Sequence, residues 1–312
     1  MVIKDQVKLA RYTTYRIGGP ARYFVSVKNE KDAIAALSFA REHKVPHFIL
    51  GGGSNLVISD KGFQGLVIRM ANKTLRWRKE NDGNVLMEAG SGNSWDELVD
   101  AALSRGLQGI EWGAGIPGQL GGAVRGNAGA FGGETSDAIV SVKALMPDGE
   151  IKILKNSECA FGYRTSVFKE KGGVIISAVL RFAPGIKEDL LAVAKEKRDW
   201  RKAKHPLEYG NCGSVFKRVD LHDVKLGLWA IHPDMKRAVR DGQVATAYFI
   251  DECGLKRTRI GGAEVSAQHP NFIVNRTGKA KAEDIVMLTS LIRSRVHQKF
   301  GVILEEEPQF IT

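Results

Sequence analysis

Residues 113–134 constrain this chain more than any other stretch. They read Gly-Ala-Gly-Ile-Pro-Gly-Gln-Leu-Gly-Gly-Ala-Val-Arg-Gly-Asn-Ala-Gly-Ala-Phe-Gly-Gly-Glu, with nine glycines. Because glycine loses the most backbone entropy on ordering and buries no side chain, the run predicts neither a packed helix nor a strand. We expect backbone amides here that closely approach a phosphate or a flat ring. A flexible surface loop is the alternative, but the run carries apolar residues that a solvated linker lacks: Ile116, Pro117, Leu120, Val124 and Phe131.

The opening of this central glycine run, 113–118, also matches the G-x-G-x-x-G pattern of dinucleotide-binding turns. Pro117 lies inside the pattern, and further glycines follow where such a turn needs a helix. The sequence therefore argues against a Rossmann-type site at this position.

A second glycine turn, Gly-Gly-Gly-Ser-Asn at 51–55, lies between two predicted strands, 45–50 and 56–59. The Rossmann pattern would place a helix after such a turn, and none is predicted. A turn between strands that exposes several amides suits a phosphate, and a glycine-rich hairpin is the alternative.

Hydrophobic periodicity predicts a mixed chain of strands and helices. The predicted strands are 21–27, 45–50, 56–59, 65–70, 85–89, 139–146, 150–154, 174–182 and 271–275. The predicted helices are 30–43, 95–104 with Ser94 as N-cap, 190–204, 246–253 and 281–300.

Composition narrows the class of protein. A chain of 312 residues with 43% hydrophobic content predicts two or three globular domains. The net charge of +11 is compatible with nucleic acid, but the densest basic stretch, 195–204, has acids interspersed, and no nucleic-acid module is evident. Residues 1–12 lack the apolar core of a secretory signal, so we expect a cytoplasmic protein. Three widely separated cysteines, Cys159, Cys212 and Cys253, lack metal-ligand spacing, and no metal site is predicted.

Seven stretches together, in this order, resemble one family. They are 14–19 (Thr-Tyr-Arg-Ile-Gly-Gly), 51–55, 115–134, 162–168 (Gly-Tyr-Arg-Thr-Ser-Val-Phe), 213–217 (Gly-Ser-Val-Phe-Lys), 259–275 and 300–307. The chain resembles UDP-N-acetylenolpyruvoylglucosamine reductase, the MurB family, nearly from end to end. Only about twenty residues separate Gly185 from His205, so it resembles the branch without a tyrosine-bearing loop in the substrate domain.

The resemblance implies an α+β protein with an FAD-binding fold of the vanillyl-alcohol-oxidase type and a C-terminal α+β substrate domain. On this basis we expect FAD-binding subdomains at 1–60 and 61–185 and a substrate domain at 186–312, with the C-terminal tail returning near the active site. The implied reaction uses NADPH to reduce the enolpyruvyl ether of a UDP-sugar to UDP-N-acetylmuramate, in peptidoglycan precursor synthesis. No nucleic acid, membrane or obligate protein partner is expected.

The reductase hypothesis needs FAD, because no side chain of this chain can accept a hydride. A doubly phosphorylated cofactor suits both glycine segments, and Arg16 is expected to add a charged contact. The predicted FAD-binding residues are Arg16, Gly51, Gly52, Gly53, Ser54, Asn55, Gly115, Ile116, Pro117, Gly118, Gly121, Gly122, Asn127, Ala128 and Gly129.

The resemblance also assigns roles at the substrate. Arg164, whose planar guanidinium suits a carboxylate, is expected to bind the enolpyruvyl carboxylate. Ser214 is expected to protonate C2 after a hydride reaches C3 from N5 of FAD, with Lys217 or an ordered water replenishing the proton; Lys217 is also a predicted substrate contact. Glu307 is the predicted catalytic glutamate, and Glu306 is its alternative.

Two features depart from the family pattern. Cys212 stands where a small residue is expected, and residues 219–240 look longer than the usual link. Two other functions remain as alternatives: an FAD oxidase of the same fold, which lacks an evident attachment residue here, and a non-catalytic nucleotide- or nucleic-acid-binding protein. Flavin absorbance that bleaches with NADPH separates the reductase from the binding protein.

Overall fold

The computed structural model describes all 312 residues. Nine α-helices alternate with strands along the chain, and none of them is both long and apolar enough to span a bilayer. The helices are α1 (Glu30–Glu42), α2 (Trp95–Leu103), α3 (Leu120–Gly126), α4 (Thr135–Ala138), α5 (Val167–Glu170), α6 (Lys187–Lys204), α7 (Leu226–Ile231), α8 (Thr246–Glu252) and α9 (Ala282–Phe300).

Twenty strands, several of only two residues, form six small sheets. They are β1 (Ile3–Lys8), β2 (Pro20–Val27), β3 (His47–Leu50), β4 (Leu56–Ile58), β5 (Phe63–Met70), β6 (Leu75–Lys79), β7 (Val85–Gly90), β8 (Leu107–Gln108), β9 (Gly129–Ala130), β10 (Gly133–Glu134), β11 (Ile139–Leu145), β12 (Ile151–Lys155), β13 (Val174–Pro184), β14 (Val219–Asp220), β15 (Val239–Arg240), β16 (Gln243–Val244), β17 (Arg259–Ile260), β18 (Ala263–Val265), β19 (Ile273–Asn275) and β20 (Gln309–Ile311).

The chain divides into two compact units, each made of several segments. The first contains Met1–Val7, Ala21–Gly52 and Gln64–Ala203, and the second contains Lys8–Pro20, Gly53–Phe63 and Lys204–Thr312. The predicted three-part division at residues 60 and 185 stays a prediction.

In the first unit, one sheet has the order β1-β2-β5-β3, with β3 parallel to β5. A larger antiparallel sheet has the order β12-β11-β13-β7-β6. Its core is built around α2 and the neighbouring strands, where Trp95, Leu98 and Phe182 are each at most 1% exposed. Ser94 caps α2 by accepting a hydrogen bond from the amide of Glu97, as the sequence predicts.

The second unit is organised by α9, whose apolar residues pack on small sheets. The sheet β17-β18-β19 and the parallel pair β4-β20 both belong to this unit. One face of α9 carries four apolar residues at helical spacing, each at most 1% exposed: Ile285, Leu288, Ile292 and Val296. The N-terminal segment 8–20 belongs here as well, and Tyr15 is fully buried in this core.

The central glycine run contradicts one sequence expectation. A helix, α3, does form inside it, from Leu120 to Gly126, although the glycine content predicted none. Its apolar positions Leu120, Ala123 and Val124 are buried, so tertiary packing outweighs the poor helix propensity of its glycines. The reasoning that no helix follows 113–118 was therefore wrong, although Pro117 still interrupts the pattern before the helix begins.

Candidate active site

The short glycine turn, residues 51–55, contacts the central glycine run through Gly51 and Gly52, which belong to the first unit. A Cβ added to Gly52 would lie 2.8 Å from Cα of Gly118, closer than real Cβ contacts come, so backbone meets backbone at this point. A Cβ on Gly51 would lie 3.5 Å from Oε1 of Gln119. Two segments that the sequence assigns to the cofactor, 51–52 and 115–118, are thus brought together.

A further segment, 90–95, runs beside the same glycines, and sequence reasoning did not single it out. The amides of Leu120 and Gly121 donate hydrogen bonds to the carbonyls of Asn93 (3.0 Å) and Ser91 (2.9 Å). The signal that could have found it is the Gly-Ser-Gly that precedes the N-cap of α2. Close backbone approach is again what glycine permits.

Buried polar atoms without a protein partner surround these segments: Oγ of Ser91, Nε1 of Trp95 and Oε1 of Gln119. The indole of Trp95 packs directly on the run, since a Cβ on Gly113 would lie 2.3 Å from its Nε1. Unpaired buried polar groups are costly, and native proteins usually pair them with protein, water or ligand. Glycine-lined backbone beside unpaired donors and acceptors fits the phosphates and polar ring edge of FAD.

The other half of the short turn, Gly53–Asn55, belongs to the second unit and packs against segment 12–16. Gly53 has φ +66°, and a Cβ there would lie 1.9 Å from the carbonyl oxygen of Tyr12, so only glycine fits. The amide of Thr14 donates to the Gly53 carbonyl at 3.1 Å. Arg16 follows at φ +58° with an exposed side chain.

Arg164 is held against the carbonyl groups of the central run. Its Nη2 donates to the carbonyl of Gly129 at 2.8 Å, its Nη1 lies 3.5 Å from that of Asn127, and its guanidinium lies over the Tyr163 ring. The backbone of Arg164 is left-handed, with φ +58°, and Lys169 Nζ donates to its carbonyl. The structure thus places the predicted carboxylate-binding residue beside predicted FAD-binding residues.

The side chain of Asn127 is fixed by hydrogen bonds within the protein and has no free donor. It is fully buried, ends α3 with φ +41°, and its Nδ2 donates to Glu134 (2.8 Å) and to the carbonyl of Gly162 (3.1 Å). Its Oδ1 accepts from the amide of Ser136 at 3.0 Å. Its side chain is therefore fully engaged within the protein, where it joins the end of α3 to the segments that carry Glu134, Ser136 and Gly162.

In the second unit, the segment that carries Ser214 is clamped on both sides. On one side, the amide of Val215 donates to the carbonyl of Asn271 (2.8 Å), and the Asn271 side chain bonds both the amide and the carbonyl of Phe216 (3.1 and 2.8 Å). On the other side, the amide of Glu307 donates to the carbonyl of Val215 at 2.9 Å. Ser214 and Glu307 are therefore on neighbouring, hydrogen-bonded segments.

The three adjacent glutamates have different surroundings. Glu305 pairs with Lys217, and Glu306 pairs with Arg293 on α9 at 3.0 Å. The backbone carbonyl of Glu307 accepts from Nδ2 of Asn55 at 3.2 Å, which links it to the predicted cofactor turn. Sequence reasoning missed this link, because nothing in the motif spacing relates residues 252 positions apart.

Cys212 lies directly before Gly213 and Ser214 in a closed environment. Burial raises the pKa of its thiol to about 12, with a smaller contribution from the charge of Glu307. Burial likewise raises the pKa of Tyr15, which lies beside it and donates its hydroxyl to the carbonyl of Ile273 at 2.9 Å. The thiol is therefore protonated and packed, which makes it a structural residue and no nucleophile.

Comparisons with known proteins agree with this arrangement. Residues 21–155 match the family model of an FAD binding domain, and 205–311 match the C-terminal domain of UDP-N-acetylenolpyruvoylglucosamine reductase. Relatives with the name UDP-N-acetylenolpyruvoylglucosamine reductase include one from Lachnoclostridium phytofermentans, 36% identical over 97% of this chain and 91% of its own length. Another, from Solibacter usitatus, is 35% identical over 100% and 97%. The crystal structure of the Thermus caldophilus enzyme (MurB) is similar over 100% of both chains, with 32% identity and a TM-score of 0.77.

The glycine-lined cradle and the FAD binding domain define a flavoprotein oxidoreductase of α+β fold, and the predicted fold class and FAD cofactor are confirmed. The C-terminal domain narrows this class further. The chain belongs to the UDP-N-acetylenolpyruvoylglucosamine reductase (MurB) family, a family of FAD-dependent, NADPH-using reductases of peptidoglycan precursor synthesis. The predicted family and enzyme class are therefore confirmed, whereas the individual site residues stay predictions.

Proposed function

We propose that this chain uses NADPH to reduce the enolpyruvyl ether of UDP-N-acetylglucosamine to UDP-N-acetylmuramate, and that it does so in the cytoplasm. The observation that carries the proposal is the clamped Ser214 segment joined to Glu307, in a chain whose other unit holds a cradle that fits FAD. FAD, when bound, would supply the hydride-transfer chemistry between NADPH and C3 of the enolpyruvyl group.

The residues that would hold FAD lie on the two glycine segments and on 90–95. Gly51, Gly52 and Gly118 supply backbone that no side chain shields, and Ser91 and Gln119 supply unpaired polar atoms. Arg16, at the edge of segment 12–16, adds a positive charge for a phosphate. Closely packed glycines let the cofactor approach the backbone, which positions its ring without flexible side chains between.

Arg164 is proposed to bind the enolpyruvyl carboxylate. Its guanidinium presents N–H donors in a fixed planar fork, the geometry that suits a carboxylate, and the carbonyls of Gly129 and Asn127 are among its partners. The carbonyls of Gly129 and Asn127 fix the plane of the fork, and the Tyr163 ring supports one face. A carboxylate on this fork gains stabilisation as negative charge develops next to it during hydride addition.

Ser214 is proposed to deliver the proton to C2. A neutral hydroxyl is a weak acid, so its work depends on being held at the reacting carbon and on a group that stabilises the alkoxide it leaves. The Asn271 clamp and the hydrogen bond from the amide of Glu307 to the carbonyl of Val215 hold the backbone beside Ser214 in place, which supports the first requirement. Lys217, three residues further on and 16% exposed, supplies a positive charge for the second, although its Nζ also pairs with Glu305.

Glu307 is proposed over Glu306 as the catalytic glutamate. The carboxylate of Glu306 is paired with Arg293, which directs it to α9. Glu307 is bonded through its backbone to the Ser214 segment and to Asn55, and its charge is felt at the buried Cys212. Its proposed part is to orient the substrate carboxylate or to assist proton delivery.

Ser214→Ala tests the proposal, because Ser214 is assigned only to the half-reaction that follows flavin reduction. Stopped-flow absorbance should show NADPH bleaching the flavin at nearly the wild-type rate, while re-oxidation by the enolpyruvyl substrate slows by roughly 10²- to 10⁴-fold, the usual contribution of a positioned acid. Ser290→Ala, an exposed serine on α9, is the matched control. Equal losses in both half-reactions, or no loss in either, would remove Ser214 from the mechanism.

A further inference from the structure

The hairpin β9–β10 carries an aromatic residue that two cations surround. Phe131 lies at its tip, with φ +53°, and is 38% exposed. Nζ of Lys197 lies 4.9 Å from the centre of its ring, and Cζ of Arg201 lies 5.3 Å from it. Trp200 meets the same ring edge-on, with centroids 5.1 Å apart. All three partners come from the last turns of α6.

Arg201 is unusual among these residues because it is only 9% exposed and incompletely paired. Its Nε donates to the carbonyl of Ala114 at 3.0 Å, and its stem packs over Gly115, but its Nη2 is buried without a hydrogen-bond partner. Burial lowers the pKa of Arg201 to about 10, and the charge of Asp96 opposes this change, so the side chain remains charged at neutral pH. Buried charged groups in proteins are normally paired with an opposite charge and fully hydrogen-bonded. The unpaired Nη2 of Arg201 therefore points to an anion that binds here.

The surrounding acids do not supply that anion. Asp96 accepts from Nη2 of Arg198 at 2.7 Å and from the amide of Gly115 at 2.7 Å. Glu196 lies 2.9 Å from Lys197 but is 70% exposed, on the solvent side. Two like charges held around one ring repel each other, and an anion placed between them would relieve that repulsion. The Phe131–Trp200 pair offers an apolar wall beside the charges.

We infer that Phe131, Lys197, Trp200 and Arg201 form a binding site for the phosphate-bearing part of a nucleotide, with the two cations pairing the phosphate and the two rings packing against the nucleoside. This inference rests on the proposed function, since both proposed substrates carry a diphosphate. The chemistry is shared by UDP and by the adenosine half of NADPH, so the experiment must separate these two sources.

The experiment measures nucleotide binding directly. Isothermal titration calorimetry of the FAD-loaded protein with UDP and with 2′,5′-ADP separates the two sources, and uridine and adenosine serve as uncharged comparators. Lys197→Gln removes one cation from a partly exposed position, so it should fold, and Lys195→Gln on the exposed side of α6 is the matched control. Arg201→Gln is the stronger variant, with its folding checked by circular dichroism.

We expect Lys197→Gln to weaken one of the two nucleotides about fivefold or more and Arg201→Gln to weaken it further, with the nucleosides unaffected and Lys195→Gln like wild type. Unchanged affinity of both nucleotides in Lys197→Gln, or an equal loss in Lys195→Gln, would overturn the inference, whether or not Arg201→Gln folds. Wild-type turnover is measured separately: absent turnover with normal nucleotide binding would refute the proposed function alone.

Discussion

Replacing Gly52 with alanine should loosen FAD without unfolding the protein. In the structure an alanine Cβ would lie 2.8 Å from Cα of Gly118 and 3.1 Å from its carbonyl carbon, whereas ordinary contacts begin at 3.4 Å. The short glycine turn and the central run must then separate by about 0.6 Å to restore an ordinary contact of 3.4 Å. Neither partner is a flexible side chain, so the backbone itself has to move.

The size of the effect follows from the cost of overpacking. Forced backbone shifts of this kind cost about 1–3 kcal/mol. If that cost is taken from the FAD-binding free energy, the dissociation constant should rise about 5- to 150-fold. The assay is calorimetric titration of FAD into the apoprotein, with the flavin content of the purified protein as an independent readout. Thermal melting of the apoprotein shows how much of the cost falls on folding.

A matched substitution makes the result interpretable. Gly227, in α7, has open space around an added Cβ and no left-handed backbone, so Gly227→Ala should bind FAD as wild type does. Wild-type FAD affinity in Gly52→Ala would refute the assignment of this backbone contact to the cofactor cradle. A loss of melting temperature without a loss of FAD affinity would show that the contact serves folding alone.

Two further outcomes are expected. Arg164→Lys should leave flavin reduction by NADPH intact but lower overall turnover about 10- to 150-fold, because an ammonium cannot reproduce the fork held by Gly129 and Asn127; exposed Arg181→Lys is the control, and equal turnover in both would show that Arg164 is structural. Burial lowers the pKa of His269 to about 4, from 6.5 in the unfolded chain. Between these two values the unfolded chain binds a proton that the folded protein does not. The stability that is present above pH 6.5 is therefore lost as the pH falls towards 4. Urea denaturation at pH 7 and pH 5 should show that wild type loses about 2 kcal/mol of stability from this group and that His269→Gln does not. Identical losses in the two proteins would contradict a neutral, partly buried histidine.

Much of the fold was readable because long periodic segments are governed by local pattern. The strand at 174–182 and the helix at 281–300 were predicted within a few residues, since each buries one regular stripe or run. Helix α3 was missed because its stability comes from the burial of Leu120 and Val124, which overrides glycine propensity and is invisible before the tertiary structure is known. The strands within 219–240 have only two residues each, which is too short for an alternating pattern to show in the sequence.

The residues of the candidate site also fall into two groups, those that the sequence predicted and those that only the fold reveals. Glycine content indicated both glycine segments, because close backbone approach requires glycine, whereas Arg164 and Ser214 were predicted from the order of the motifs through the family resemblance. The supports of these residues left none: Asn271 clamps Phe216 from 55 positions away, and Asn55 reaches the carbonyl of Glu307 across 252. A hydrogen bond between distant segments depends on the fold, so no spacing rule could have named these partners.

The second compact unit has a consequence for synthesis on the ribosome. Its segments 8–20 and 53–63 emerge early, yet their partners lie in 204–312, and β4 finds its neighbour β20 only when residues 309–311 have left the exit tunnel. Throughout translation of the intervening 140 residues, Gln64–Ala203, these early segments can contact each other but lack the native contacts that 204–312 supplies, while the first unit gathers its own. The core that buries Tyr15 and pairs the strand Leu56–Ile58 is therefore completed only when residues from 204–312 have been made, so this unit folds late in synthesis although part of it is made first.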